Sequence, residues 1–445
     1  MKTINVAIIG VGVVGTSVIK TLQDNQDIIS ARTGVKIIPK LGIARNIKNK
    51  YVNIPLSTNL DDALENPEID MIVELVGGVD LPFQIALKAL TNKKSFVTAN
   101  KAMLAYHRYE LETQRQGTPI GFEASVCGGI PIIKILRDGL CANHILSIRG
   151  IMNGTSNYIL TQMSHTNADF EVALKQAQNL GYAEADPTLD INGSDSAHKL
   201  LILSSLAYGI HAKVEDIIIE GIEGLIPEDI QFAKEHDYAI KLLGIAKKQD
   251  NELDLRVHLC MIPKDSMLAK VDGAMNAISV IGDKVGEGLY YGAGAGGSET
   301  ASSVISDIME IARNKTAPML GYVSNSQSLE QVVMLAPKEK ISSRYYVRLK
   351  VNDKPGVLSI IANILAIWGI SIQSLIQRNA NENSYANQHE IQHKKSQQNQ
   401  NLESVFLLLS THICCETQIQ GALKELYNLQ EVLEKPFMIR IEQLT

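Results

Sequence analysis

The sequence predicts an α/β protein in three parts: a doubly wound parallel sheet, a central α+β region and a C-terminal βαββαβ module of the ferredoxin-like type. Short apolar runs alternate with helical patterns over residues 1–135. Long apolar helices mix with strand-like pieces over residues 136–317, and a regular alternation of strands and helices returns over residues 344–445. A chain of 445 residues is also too long for one core, because domains usually hold about 100–200 residues.

The first part contains short apolar strands separated by helices, the order that builds a parallel sheet covered on both faces. Its predicted elements are a strand Ile4–Ile9, a helix Thr16–Leu22, strands Val35–Ile43 and Asp70–Val76, a helix Leu81–Leu90 and a strand Ser95–Thr98. The last helix of the central part is expected to pack back against this sheet.

The two later parts have equally clear elements. In the central part they are a buried helix Ser194–Tyr208 and a strand Leu253–Met261. In the C-terminal part they are strand Tyr345–Val351, helix Gly356–Ala366, strands Ile370–Ile376 and Val405–Ser410, helix Thr417–Leu426 and strand Phe437–Ile441. The segment Asn379–Asn401 is rich in Asn, Gln and His and almost free of aliphatic residues, so it is predicted to be a mobile surface insert.

The composition, with 45 % hydrophobic and 20 % charged residues, is that of a folded globular protein. The net charge of -6 gives no general attraction to nucleic acid or anionic membrane, and neither is expected as a partner. No apolar run approaches the roughly 20 residues that span a bilayer, and the N-terminus lacks a signal peptide pattern. Five scattered cysteines fit a reducing compartment, so we expect a cytoplasmic protein.

A glycine-rich loop follows the first predicted strand and precedes a helix. Gly10, Gly12 and Gly15 have the spacing that lets a backbone approach a pyrophosphate at a helix N-terminus. The loop, residues 10–15, also contains Val11, Val13 and Val14. This context predicts a Rossmann-type dinucleotide site, against the alternative of a glycine-rich turn without a ligand.

The second predicted strand ends without the usual acidic partner of the cofactor ribose. Ala44-Arg45-Asn46 stands there instead, and Arg45 could meet a 2′-phosphate. This replacement favours NADP as the cofactor, with NAD as the alternative. Arg45 would then bind the 2′-phosphate, unless it is an ordinary exposed arginine without a ligand. Lys101 follows the strand Ser95–Thr98, and a residue just beyond a strand end faces the ligand crevice, although a solvated lysine would satisfy the same pattern.

Four carboxylates and a lysine lie in the segment that leads into the helix Ser194–Tyr208. The carboxylates are those of Glu184, Asp186, Asp190 and Asp195. Ser194 is predicted to cap the helix, and Asp195 lies four residues before Lys199 in the favourable order for pairing. Lys199 shares a face with apolar residues, so we expect it to project inward, where a partly desolvated lysine can exchange a proton. A surface ion pair is the alternative, and His198, off that face, is expected to be structural.

The stretch from Ala177 to Lys199 resembles the signature of the homoserine dehydrogenase family. Similar supporting motifs lie at residues 98–101, 122–126, 150–158 and 292–296. The resemblance implies oxidation of homoserine to aspartate 4-semialdehyde, or physiologically the reverse reduction by NAD(P)H, in threonine, methionine and isoleucine biosynthesis. Because no kinase-sized segment precedes the glycine loop, the monofunctional form is expected.

The same resemblance implies roles for individual residues. Lys199 would be the proton donor in reduction, Lys101 would lie beside the nicotinamide and the substrate hydroxyl, and Asp195 would orient the reacting group. Glu184 would bind the substrate ammonium. The remaining expected contacts are Asp190, Tyr182, Gly154 and Thr155 for the substrate, and Gly77, Gly294 and Gly296 for the cofactor. Family members also hold a monovalent cation, typically sodium, through backbone oxygens, here those of Glu123, Val126, Gly128 and Ile130.

The C-terminal part resembles an ACT domain through Asp353-Lys354-Pro355-Gly356-Val357-Leu358. Such modules bind an amino acid, often threonine, and lower activity, while a purely structural dimerisation module is the alternative. Both resemblances imply a homodimer or homotetramer. The insert departs from the compact ACT pattern, so the identity of the effector stays open.

Three competing interpretations remain. His389-Glu390-Ile391-Gln392-His393 fits a zinc protease motif but lacks an apolar helix face around it. Cys127 beside two glycines suggests an aldehyde dehydrogenase with a thiolate, although no general base is evident nearby and a small buried thiol is commoner. A catalytically silent sensor would bind nucleotide and amino acid without turnover.

Overall fold

The computed structural model describes residues 1–48, 50, 52–315, 317–322, 333–380 and 404–444. Its first sheet has six parallel strands in the order β3-β2-β1-β4-β5-β6. These strands are β1 Lys2–Ile9, β2 Val35–Ile43, β3 Leu56–Ser57, β4 Met71–Glu74, β5 Ser95–Thr98 and β6 Ile120–Gly121. The helices between them are α1 Val13–Asp24, α2 Gln26–Thr33, α3 Asp61–Leu64, α4 Asp80–Thr91 and α5 Lys101–Gln114. The order reverses beside β1, which makes the carboxyl ends of β1 and β4 a ligand crevice.

The central region wraps helices around an antiparallel sheet. Its strands are β7 Ile145–Ile151, β8 Ile218–Ile219, β9 Tyr238–Gln249, β10 Glu252–Pro263, β11 Met275–Gly282 and β12 Gly286–Ala293. Its helices are α6 Ile132–Lys134, α7 Gly154–Thr166, α8 Phe170–Asn179, α9 Thr188–Ile191, α10 Ser194–Tyr208, α11 Pro227–Glu235 and α12 Gly297–Ala312. Helix α10 is buried along almost its whole length, because its side chains are apolar or small on nearly every face.

Helix α12 leaves the central region and packs on the parallel sheet. Ala301, Val304 and Ile308 are buried in one cluster with Val18 and Ile19 of α1. This contact places the start of α12 next to the glycine loop. The parallel sheet and α12 therefore border the same crevice.

The C-terminal region forms a βαββαβ unit with both helices on one face. Its elements are β13 Met334–Leu335, β14 Ser342–Asn352, α13 Val357–Ile367, β15 Ile372–Asn379, β16 Ser404–Thr411, β17 Cys414–Cys415, α14 Glu416–Tyr427 and β18 Phe437–Ile441. Strand order is β18-β14-β16-β15, all neighbours antiparallel. Ile361, Leu365 and Ile419 fill the core between helices and sheet.

The sheets of the central and C-terminal regions are continuous, which differs from the separate parts that the sequence suggests. Strand β18 pairs in parallel with β10 through Cys260 with Arg440 and Met261 with Ile441. The edge of one sheet thereby satisfies the open backbone groups of the other. The C-terminal unit is therefore joined rigidly to the region that carries α10.

No helix within the described residues is long and apolar enough to cross a membrane. The zinc protease motif at residues 389–393 and nearly all of the insert lie outside the described residues.

Candidate active site

The glycine loop makes a turn that requires glycine at residues 10 and 15. Gly10 has φ +104°, and a Cβ atom there would lie 2.6 Å from the carbonyl oxygen of Leu75. Helix α1 begins at Val13, so Gly15 lies within its first turn, where a Cβ would lie 2.3 Å from the oxygen of Gly10. At Gly12 nothing lies within 4 Å of such an atom. The loop is thus packed tightly behind Gly10 and Gly15 and open at Gly12, the side where a pyrophosphate would approach.

A cavity of about 660 Å³ opens at this crevice. Gly10, Val11, Gly12, Arg45 and Gly77 all line it. Arg45 comes from the end of β2 and Gly77 from the end of β4, so the parallel sheet gathers them at its carboxyl edge. Val13 is 77 % exposed at the N-terminus of α1, and Val14 is half-buried behind it. The volume is adequate for a nucleotide-sized ligand.

A buried carboxylate lies between two lysines beside this cavity. The Nζ of Lys101 is 2.6 Å from Oδ1 of Asp195, and the Nζ of Lys199 is 2.8 Å from Oδ2. Lys199 also donates to the carbonyl oxygen of Met152 at 2.6 Å. Asn100, which precedes Lys101, caps α5 and donates to the carbonyl oxygens of Val76 and Gly78 next to the cavity wall. The lysine cluster is thereby fixed to the loop after β4.

Helix α10 supplies two of these three charged groups. Gly193, with φ +87°, is the residue before the helix, and Ser194 is its first helical residue, so the predicted Ser194 cap is wrong. Asn192 instead accepts a hydrogen bond from the backbone N–H of Ser194 at 2.9 Å. The inward orientation predicted for Lys199 is confirmed, because the residue is only 7 % exposed, and a surface ion pair is excluded.

The charges in this cluster hold each other in the ionised form. Burial raises the pKa of Asp195, but the ammonium groups of Lys199 and Lys101 outweigh it and the pKa lies well below its usual range. Burial lowers the pKa of Lys199, but the Asp195 carboxylate more than compensates and the pKa is raised. Burial also lowers the pKa of His198, whose ring packs edge-on against Tyr106. The cluster therefore keeps the buried Lys199 protonated at neutral pH, while Lys101 lies at the partly exposed edge of the site.

Asn153 connects two of the four acidic residues of the segment before and at the start of α10, a role that the sequence did not reveal. Its Nδ2 donates to Asp190 at 2.7 Å and to Asp195 at 2.9 Å, while its Oδ1 caps helix α7. The pKa of Asp190 is raised, first by burial and further by the charge of Asp195, despite the bond from Asn153. An asparagine directly before a helix was the available signal, since asparagine is a favoured cap.

The other wall of the site is formed by the start of α7 and by strand β11. The hydroxyl of Thr155 donates to the carbonyl oxygen of Tyr182 at 2.5 Å. Gly154 and Gly294 both lie against Asn276, where a Cβ atom would come within 3.5 and 2.2 Å of its side chain respectively. The Oδ1 of Asn276 is buried and has no hydrogen-bond partner among the described residues. Asn276 is a second polar group that sequence reasoning missed, because only the tertiary fold brings it here.

Two predicted contacts lie apart from the lysine cluster. Glu184 is exposed, and the hydrogen bond found for it uses its carbonyl oxygen, which accepts from Gln178 at 3.3 Å. Gly296 precedes helix α12 with φ +126°, and its neighbour Gly297 approaches Val13 at the start of α1. Glu184 therefore faces solvent, and Gly296 lies at the start of α12, near the start of α1.

Cys127 lies in the site but lacks the properties of a nucleophile. Its thiol is buried, accepts a bond from Nδ2 of Asn276 at 3.2 Å, and has a pKa raised mainly by burial. A reactive cysteine needs a lowered pKa and some exposure. The geometry thus disfavours a thiolate-dependent aldehyde dehydrogenase.

The segment expected to hold a cation, residues 123–130, includes Cys127 and so lies beside Asn276. Glu123, Val126, Gly128 and Ile130 are the residues concerned, and all four are buried. The carbonyl oxygen of Gly128 accepts a bond from Ser303 at 2.5 Å, and that of Ile130 accepts one from the N–H of Ile132 at 2.7 Å.

Comparisons with known proteins agree with this geometry. The family model described as homoserine dehydrogenase matches residues 131–309, and that of the homoserine dehydrogenase NAD-binding domain matches residues 10–119. A homoserine dehydrogenase of Helicobacter pylori is 55 % identical over 442 residues, covering 99 % of both chains. The crystal structure of a homoserine dehydrogenase from Thiobacillus denitrificans superimposes with a TM-score of 0.88 at 41 % identity, covering 100 % of this chain and 99 % of that one.

A more distant structure, a hyperthermophilic archaeal homoserine dehydrogenase in complex with NADPH, has a TM-score of 0.58 at 26 % identity and covers 69 % of this chain and 97 % of its own. The combined matches of the two family models span most of the first 309 residues, where the cavity and the lysine cluster lie. The predicted Rossmann unit and central α+β region are confirmed by the fold. The chain therefore belongs to the homoserine dehydrogenase family and is an NAD(P)-dependent oxidoreductase.

Proposed function

We propose that this enzyme interconverts L-homoserine and L-aspartate 4-semialdehyde, with NADP as the preferred cofactor. The observation that carries the proposal is the buried Asp195 carboxylate held between Lys101 and Lys199 at the edge of the dinucleotide cavity. A bound nicotinamide would supply the hydride acceptor for the carbon that bears the homoserine hydroxyl. The protein must then accept the proton of that hydroxyl and stabilise the negative charge that develops on its oxygen.

Lys199 has the geometry of the proton donor in the reductive direction. An ammonium group has three hydrogens, and Lys199 uses two for Asp195 and Met152, which leaves one for a substrate oxygen. Lys101, with its side chain 41 % exposed, brings a second positive charge to the same oxygen. Asp195 keeps both ammonium groups oriented. Developing alkoxide charge is stabilised best by such preorganised cations in a water-poor site.

The amino-acid part of the substrate would lie between α7 and the segment before α10. We assign its ammonium group to Glu184, with Asp190 and Tyr182 as flanking contacts. Gly154 and Thr155 would form the floor, since they begin α7 directly after Asn153, whose side chain binds both Asp190 and Asp195. A charge-assisted pair with a carboxylate suits a primary ammonium.

The preference for NADP rests on Arg45. The residue lines the cavity at the end of β2, where an acidic side chain would otherwise bind a ribose 2′-hydroxyl, and Lys50 also lines it. The archaeal relative that carries NADPH supports the same choice. The open space at Gly12 and the volume of the cavity fit the dinucleotide.

Replacing Arg45 by alanine is expected to raise the KM for NADP by about tenfold or more, the effect of losing one hydrogen bond to a charged group, and to leave the KM for NAD unchanged. Steady-state kinetics with both cofactors measure this. Arg32→Ala is the matched control, because Arg32 is an exposed arginine of α2 that does not line the cavity. Equal losses with NADP and NAD would contradict the assignment.

A monovalent cation, typically sodium, would be held by the carbonyl oxygens of Glu123, Val126, Gly128 and Ile130. The bonds already accepted by Gly128 and Ile130 leave each oxygen a second lone pair, so the donors fit a cation held by the backbone. Such an ion would fix the loop that carries Cys127 against the wall of the site.

The deciding experiment is an absorbance assay of homoserine-dependent NADP reduction by the purified chain. We expect turnover in sodium or potassium chloride and a lower rate in tetramethylammonium chloride. Cofactor binding without any homoserine turnover would overturn the proposal in favour of a catalytically silent sensor. Equal rates in all three salts would remove the cation from it.

We further propose that the C-terminal unit is an ACT domain that lowers activity when it binds threonine. Its βαββαβ order and the turn at Gly356, where φ is +92°, support this assignment. Millimolar L-threonine is expected to inhibit turnover by the full chain, while D-threonine is not. Equal rates with and without L-threonine would leave the unit with a structural role only.

The same unit supports a homodimer or homotetramer. Leu358, Ile360 and Ile367 expose apolar surface on helix α13, and β15 is the edge of the continuous sheet. Exposed apolar groups on one helix are typical of an interface between subunits. Light scattering on the purified enzyme measures the assembly.

A further inference from the structure

A fully buried arginine joins the C-terminal unit to the central region. Arg440 of β18 is 0 % exposed and binds two glutamates, one from each region. Its Nη1 and Nη2 donate to Glu220 at 2.7 and 2.9 Å, and its Nε donates to Glu416 at 2.9 Å. Tyr345 adds a hydroxyl bond to Glu416, also at 2.9 Å. Paired, bidentate contacts of this kind fix both position and orientation.

Glu220 lies at the start of a short segment that touches the chain before α10. Its own N–H donates to Val257 of β10, and the N–H of Ile222 donates to the carbonyl oxygen of Ile191 at 2.8 Å. Gly221 lies so close that a Cβ atom would be 2.2 Å from that same oxygen and 2.7 Å from the Cα of Asn192. The segment Glu220–Ile222 is thus in direct backbone contact with residues 191 and 192.

Residues 191–193 connect the acidic residues of the active site. Asp190 precedes them, Asp195 follows them, and the one amide of Asn153 binds both carboxylates. A Cβ atom on Gly193 would lie 3.1 Å from the carbonyl oxygen of Glu220, so the start of α10 also rests on this segment. The segment Glu220–Ile222 is therefore packed against the backbone that connects the two carboxylates.

We propose that Arg440 and Glu220 are positioning residues for the reaction, and that the C-terminal unit holds Asp190 and Asp195 in register with Lys101 and Lys199 through this pair. The inference rests on the proposed function for its kinetic consequence. Under this proposal the C-terminal unit holds the active-site carboxylates in place even when no effector is bound. It also gives an effector a direct route to the catalytic lysines, because a shift of β18 or α14 moves Arg440.

Glu220 is the better residue to change, because its side chain is 39 % exposed and Arg440 keeps Glu416 as a partner when Glu220 is removed. Removal of Arg440 would leave Glu416 buried and unpaired, which destabilises the fold strongly. Glu220→Ala is expected to lower kcat about tenfold with the Kd for NADP unchanged, since misplacement of reacting groups by about 1 Å can cost two orders of magnitude. Glu220→Gln keeps an oxygen acceptor for the guanidinium and is expected to restore most of the rate.

Glu235→Ala is the matched control. Glu235 is 42 % exposed and also pairs with an arginine of the C-terminal unit, Arg378, but it lies on α11 and not on the segment before α10. We expect its kcat to match that of the unchanged enzyme. A kcat of Glu220→Ala equal to that of Glu235→Ala would overturn the proposal, as would a loss of rate that Glu220→Gln does not recover.

Hydrogen–deuterium exchange on the full chain tests the same contact without turnover. Glu220→Ala is expected to speed exchange in residues 188–199 while exchange in β1 and β2 stays unchanged. Uniform acceleration over the chain, or none in residues 188–199, would overturn the proposal. If the unchanged protein shows no homoserine oxidation, the proposed function fails, and the exchange result still decides whether Glu220 positions this segment.

Discussion

Replacing Lys199 by methionine is expected to lower kcat about a thousandfold and to leave the Kd for NADP unchanged. The substitution keeps the length and the apolar stem of the side chain but removes the ammonium group that donates to Asp195 and Met152. Positioned general acids contribute roughly 10²–10⁴-fold, and this one also stabilises charge on the substrate oxygen. Asp195 remains paired with Lys101, so the variant is expected to fold.

Lys241→Met is the matched control for this variant. Lys241 is also a buried lysine, with its side chain 4 % exposed, and it binds the carbonyl oxygen of Val271 and the carboxylate of Asp272, neither of which belongs to the lysine cluster. Its kcat should stay near that of the unchanged enzyme even if the melting temperature falls. Comparable rates for Lys199→Met and the unchanged enzyme would show that the proton comes from elsewhere.

Much of the parallel sheet could be predicted, because buried parallel strands are short apolar runs bounded by turn residues. The strands Val35–Ile43 and Ser95–Thr98 match their predicted bounds, and so do helix Ser194–Tyr208 and strand Phe437–Ile441. Helices α2 and α5 were missed, because α2 is short and both have weak apolar periodicity. Helix α1 starts earlier than predicted because Gly15 belongs to its first turn.

The pairing of strands that are distant in sequence could not be predicted from the sequence pattern. Nothing in the residues of β10 or β18 specifies that they pair with each other, so the continuity of the two sheets could not be predicted. Arg440 illustrates the difficulty, since an arginine in a strand is read as solvent-exposed unless its partners are known. Its two glutamates lie 24 and 220 residues away along the chain.

The contact between the charged residues of the candidate site could be anticipated where the signal was local. Asp195 and Lys199 are one helical turn apart, and Lys101 lies three residues after a strand end, so spacing and topology made them candidates. A solvated lysine was an equal alternative for Lys101, and the catalytic roles came from the family resemblance. Asn153 and Asn276 were missed because neither has a charged neighbour in sequence. Asn153 reaches Asp190 and Asp195, and Asn276 reaches Cys127, all of which are distant along the chain. Polar amides that join distant elements require the tertiary structure.

Replacing Asp195 by asparagine is expected to lower the rate of semialdehyde reduction about a hundredfold at neutral pH and to move the alkaline limb of its pH profile to lower pH. The pKa of Lys199 is raised only because the Asp195 carboxylate outweighs burial. Without that carboxylate, burial and the nearby charge of Lys101 both favour the neutral amine, so the pKa of Lys199 falls. The proton is then lost at a pH where the unchanged enzyme still carries it.

Asp195→Glu distinguishes the effect of the carboxylate charge from the effect of its exact position. It keeps a carboxylate between the lysines, so its alkaline limb should stay where it is in the unchanged enzyme, although a longer side chain will lower kcat. The measurement is kcat for reduction across the range from pH 6 to 10 for all three proteins, with melting temperatures taken at each pH. A limb that stays in place in Asp195→Asn would mean that Lys199 is not the group that titrates. A limb that moves equally in both variants would mean that packing around Lys199, and not the Asp195 charge, sets its pKa.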